Sequence, residues 1–75
     1  MNLNKLFDDI MKNETKRKII ETIMNIYPLK TEYGDCKVIY ENSKVKVINR
    51  KNEEIDIDKK LENEIFHIIR QIKEL

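Results

Sequence analysis

The chain has 75 residues, 40% hydrophobic and 39% charged, with fifteen Lys and Arg set against fourteen Asp and Glu. That length supports one small domain over residues 1–75, near the lower limit at which an apolar core suffices without staples. A formal charge of +1 is not the one-sided excess of a dedicated nucleic-acid binder, so any such role has to come from local clustering. A single cysteine, Cys36, rules out an internal disulfide and leaves too few thiols for a zinc or iron–sulfur cage.

The opening stretch MNLNKLFDDIMKNE carries acids early and has no continuous apolar segment, which predicts no signal peptide. No apolar run approaches the roughly 20 residues that span a bilayer, so the reading is a cytoplasmic chain without membrane association. Leu3, Leu6, Phe7, Ile10 and Met11 share one helical face, and Ile19, Ile20, Ile23, Met24 and Tyr27 share another. At the helical period the two stripes are about 140° out of phase. One straight helix cannot bury both. A break is therefore expected near Asn13, Glu14 and Thr15, where Asn or Thr caps a second helix. Pro28 is expected to stop that helix at Tyr27.

Residues 28–35, PLKTEYGD, read as a connector, with Gly34 beside Asp35 as the turn signal. The stretch CKVIYENSKVKVIN reads as a hairpin turning at Asn42 and Ser43, with Tyr40 opposite Val45 and Val38 opposite Val47. In EEIDID, Ile55 and Ile57 alternate with acids. An odd loop centred on Lys51 pairs Val47 with Ile55 and Val45 with Ile57, and burial selects it over a slip that would bury Asp56. The same register sets Lys46 beside Asp56 and Lys44 beside Asp58.

The stretch Asp58–Leu75 places Leu61, Ile65, Ile68, Ile72 and Leu75 on one helical stripe widened by Ile69, with Asp58 at the N-cap. The expected fold is α+β: two N-terminal helices, a three-stranded antiparallel meander, and a C-terminal helix packed on one face of the sheet.

Chemistry-bearing residues are sparse. His67, the lone histidine, points away from the stripe and has no partner spaced for catalysis or metal binding. Cys36 reads as a small buried thiol, because no cationic neighbour on its face would activate it. The acids Glu53, Glu54, Asp56, Asp58, Glu62 and Glu64 lack the glycine and ligand spacing of a calcium loop, and read as a charge ladder facing lysines. One glycine cannot build a phosphate loop. The chain reads as a non-enzyme without cofactor or metal.

The functional expectation is a small regulator or inhibitor acting through protein–protein contacts. Three strands need only one helix to cover a face, so spare apolar area on the helices is available to a partner or a homodimer. Its candidate residues are Leu3, Phe7, Met11, Phe66, Ile69 and Leu75. The alternative is a winged-helix-like nucleic-acid-binding protein. Lys16, Arg17 and Lys18 stand in the first turns of a helix, against its dipole. With Lys37, Arg50 and Lys51 they would meet phosphates.

Overall fold

Asn13 divides the first two helices. In the computed structural model, which describes residues 2–74, α1 (Leu3–Met11) ends at Lys12 and α2 (Glu14–Met24) begins after Asn13. The Asn13 side chain accepts from the Lys16 N–H at 3.0 Å, satisfying a donor that the helix itself leaves free. The expected break is present. Helix α2, however, stops before Tyr27. Asn25 caps it, its backbone N–H bonding back to Thr22 and its side-chain amide donating to the Glu21 carbonyl at 2.9 Å. Tyr27, expected on the apolar stripe, therefore lies beyond the helix, before Pro28, which disfavours helical geometry at the residue preceding it.

The sheet has four antiparallel strands in sequence order: β1 (Leu29–Thr31), β2 (Gly34–Glu41), β3 (Lys44–Asn49) and β4 (Glu54–Ile55). β1 occupies residues expected to be a connector. It pairs Leu29 with Cys36 and Thr31 with Gly34. The tight turn between them is held by the Thr31 hydroxyl, which accepts from the Tyr33 N–H and donates to the Gly34 carbonyl, both at 3.0 Å. Gly34 has φ 92°, a left-handed conformation that a side chain would strain.

The β2–β3 hairpin has the expected register, with Tyr40 opposite Val45, Val38 opposite Val47 and Glu41 opposite Lys44. Asn42 and Ser43 adopt φ 52° and 61°, the left-handed pair that a two-residue turn needs to match strand twist. On the other side of β3, Val47 pairs with Ile55 as expected. The further pair, Val45 with Ile57, is not formed. The Val45 N–H donates instead to the Asn4 side chain of α1 at 2.8 Å, so α1 takes the edge that a longer β4 would occupy. β4 ends at Ile55.

The register makes one face of the sheet apolar: Leu29, Cys36, Val38 and Val47 are all buried there. They form a single core with Leu3, Phe7 and Ile10 of α1, Ile20 of α2, and Leu61, Ile65, Ile69 and Ile72 of α3 (Lys59–Lys73). All three helices thus lie on the same side. Asp58 caps α3, accepting from the Leu61 N–H at 2.8 Å. The buried line of α3 runs through Ile69, 2% exposed, and leaves Ile68 half-buried at its flank, a small rotation from the expected stripe. Leu75 lies outside the described residues. The Phe7 ring stacks on Tyr40 with centroids 5.4 Å apart, and the Tyr40 hydroxyl donates to Asp8. α1 is thereby held to the hairpin at both an apolar and a polar point.

Ile69→Ala is expected to lower unfolding stability in urea by about 2–5 kcal/mol, the range for deleting a buried aliphatic side chain. Ile68→Ala is expected to cost clearly less. Equal losses would contradict this orientation of α3.

Candidate functional site

Alternation along a strand sends neighbouring side chains to opposite faces. Because Cys36, Val38 and Val47 face the helices, Asp35, Lys37, Ile39, Lys46 and Ile48 face the other way, and Lys30 joins them opposite Asp35. Ile39 and Ile48 are half-buried, yet neither belongs to the core or to the hydrophobic side chains packed against it. In register Ile39 stands opposite Lys46, and Ile48 opposite Lys37. The outer face therefore has two isoleucines on one diagonal and two lysines on the other.

One end of this face is bound together by charge. Asp35 accepts from the Lys30 ammonium at 2.9 Å and from the Arg50 guanidinium at 3.2 Å. Those hydrogen bonds, Lys30 first and Arg50 second, hold the Asp35 carboxyl below the usual aspartate range. The pair is solvent-accessible, Lys30 being 76% exposed, so it orients groups more than it stabilises the fold. Arg50 also lies 4.3 Å from the centre of the Tyr27 ring, and the Lys37 ammonium 5.3 Å from it, both within cation–π range. Tyr33, 59% exposed, stands beside this cluster. With Gly34, Asp35, Asn49, Arg50, Lys51 and Glu53 it lines an open recess of about 240 Å³.

The expected facing pairs, Lys46 with Asp56 and Lys44 with Asp58, do not form. β4 ends before Asp56, and Asp58 is committed to capping α3. Among the described residues, neither Lys44 nor Lys46 has a carboxylate within ion-pair distance, and neither does Lys37; the ion pairs present are Arg17–Glu21, Lys30–Asp35 and Arg50–Asp35.

The six cations expected to meet nucleic acid fall into two groups. Lys37 and Arg50 are on the outer face with Lys51 in the adjoining loop, whereas Lys16, Arg17 and Lys18 belong to α2 in the helical layer. Lys16 donates to the Lys73 carbonyl at the end of α3 at 2.9 Å, where the helix dipole is negative. Arg17 sits 3.9 Å from Glu21 one turn on, and Lys18 is exposed. The placement of Lys16 in a first turn thus has a structural cause in the neighbouring helix. A recognition helix and a wing on one surface are not assembled.

The expected apolar interface is corrected in part. Leu3, Phe7 and Ile69 are 8%, 1% and 2% exposed and belong to the chain's own core, so in this fold they offer no surface to a partner. Met11 and Phe66 are half-buried against that core. Cys36 is fully buried, its sulfur 3.5 Å from the Thr31 hydroxyl. His67 is exposed and meets Gln71 at 3.3 Å. Among the described residues no cluster of three or more His, Cys, Asp or Glu could hold a metal ion, and no helix is long and apolar enough to cross a membrane. The outer face has no motif of its own in the sequence, although Lys37, Ile39, Lys46 and Ile48 follow from the hairpin register as the set opposite the valines.

Because the carboxyl of Asp35 is depressed by its partners, what it adds to stability is present above the ordinary aspartate range and is lost as pH falls through the lowered value. A carbon-detected NMR titration is expected to show this carboxyl titrating below a free aspartate. Lys30→Met is expected to move it back up further than Arg50→Gln. An unshifted Asp35 in the parent chain would contradict the geometry.

No protein-family model, curated protein or solved structure matches this chain.

Proposed function

We propose that this chain is a non-catalytic binding protein, a regulator or inhibitor that works by contact with another protein. The observation that carries this reading is the outer sheet face, where half-buried Ile39 and Ile48 lie outside the core and are flanked by Lys37 and Lys46. An apolar centre within a charged rim is the general make-up of a protein interface. The groups that could carry turnover chemistry are dispersed: Cys36 is inside the core, and His67 is on the exposed side of α3. Helix–helix pairing between copies has less support, because Ile69 turns into the core.

A second reading, binding of nucleic acid, is favoured by one corner of the same face. There Tyr27, Lys37 and Arg50 stack, with Tyr33 and Lys51 beside them. Aromatic rings among cations are the means by which single strands are held.

Affinity capture with the tagged chain in a lysate of the source organism separates the two. Protein contact predicts a defined protein retained after nuclease treatment and re-formed as a complex from purified components. Nucleic-acid binding predicts retention that nuclease abolishes, with affinity for a labelled oligonucleotide falling steeply as salt rises. A chain that retains neither class would overturn both readings.

A further inference from the structure

The outer face can be assigned a partner chemistry, an inference that rests on the protein-contact reading above. Its strands and adjoining loop present Lys30, Lys37, Lys44, Lys46, Arg50 and Lys51 against Asp35, Glu41, Glu53 and Glu54, a positive surplus in a chain whose net charge is only +1. Asp35 already engages Lys30 and Arg50. The cations at the centre that have no carboxylate partner are Lys37, whose ammonium lies over the Tyr27 ring, and Lys46, each opposite an isoleucine that no helix covers. We propose that this face docks a segment of a partner protein on which carboxylates and aliphatic side chains share one surface. Its acids meet Lys37 and Lys46, and its apolar groups cover Ile39 and Ile48.

Charge complementarity alone would also admit a nucleic acid. Three features favour the acidic protein segment. Two aliphatic side chains stand at the centre of the face, and they have no π-face for a base to stack on. The Tyr27 ring is already engaged by Arg50 and Lys37. Arg50 shares the Asp35 carboxylate with Lys30, and this contact holds its guanidinium away from an incoming phosphate. What remains suits carboxylates spaced around an apolar contact.

The probe is a labelled peptide of repeated Glu-Ser-Leu-Ser, which in extended form puts Glu and Leu on the same face. The expected result by fluorescence anisotropy is saturable binding that weakens with salt. Lys37→Glu combined with Lys46→Glu is expected to weaken it by about tenfold or more, a change of about 1.4 kcal/mol. Ile39→Ser is expected to weaken it also, and Lys18→Glu on α2 to leave it unchanged. Circular dichroism of each variant, altered outside the core, confirms the fold. Absence of saturable binding, equal loss with Lys18→Glu, or tighter binding of an oligothymidylate of equal charge would overturn the proposal. So would sedimentation showing that a second copy fills the face and is displaced by the double substitution. A protein partner captured by the parent chain and still held by the charge-reversed variant would overturn this surface and leave the protein-contact reading standing. Capture of nothing would remove that reading itself.

Discussion

The pairing of Val38 with Val47 is the constraint from which both faces of the sheet follow. It aligns Leu29, Cys36, Val38 and Val47 on one side, and no other face of the strands could receive Phe7, Ile20, Ile65 and Ile69 from the helices. A slip of one residue would turn Lys37 or Lys46 into that core, and an unpaired buried ammonium is far too costly to persist. The two-residue turn at Asn42 and Ser43 enforces the same alignment locally, since its left-handed geometry admits one register. Core packing and turn chemistry therefore specify the same answer, which is the mark of a sequence with one fold. The outer arrangement of Ile39, Lys46, Lys37 and Ile48 is the unavoidable complement of that choice.

Short polar side chains set where each element stops. Asn2, Asn13 and Asp58 accept from free N–H groups at the starts of the three helices. Asn49 brackets the β3–β4 loop, accepting from Lys51 and Glu53 N–H groups at 2.9 and 3.0 Å, while Asn52 takes the left-handed position with φ 63°. Asn4 closes the free edge of β3. In a chain with one glycine, asparagine supplies two of the three helix N-caps and two of the four left-handed positions among the described residues, because its amide can replace a backbone partner at little steric cost.

These local rules explain which features were legible in the sequence. The phase jump between the Leu3–Met11 and Ile19–Tyr27 stripes announced the break at Asn13, and the alternation of Val38, Tyr40, Val45 and Val47 announced the hairpin. β1 was not legible. Three residues are too few to show a period, and Leu29-Lys30-Thr31 becomes a strand only because β2 stands beside it with an unpaired edge. The end of β4 is not legible for a related reason: Asn4, forty-one residues away, competes for the Val45 N–H, and alternation within EEIDID carries no trace of that competitor. Tyr27 fitted a helical stripe by spacing, but Asn25 ends the helix two residues earlier. Of the expected interface residues, Leu3, Phe7 and Ile69 lie in the chain's own core, since periodicity finds a greasy side chain without saying which surface covers it.

The early end of β4 has a consequence for charge. Had Asp56 and Asp58 continued along β3, Lys46 and Lys44 would each have faced an acid and the outer face would be close to neutral. With α1 at that edge, Asp58 is turned to the Leu61 N–H of α3, and Lys46 stands beside Ile39 without a carboxylate partner. A sequence almost balanced in charge thus folds into a molecule that is not balanced face by face. Local potential, and not the sum over the chain, governs which partner approaches a surface. The helical layer spends its cations internally in part, Lys16 on the end of α3 and Arg17 near Glu21. The sheet leaves Lys37 and Lys46 without a carboxylate partner around the apolar side chains that the core does not use.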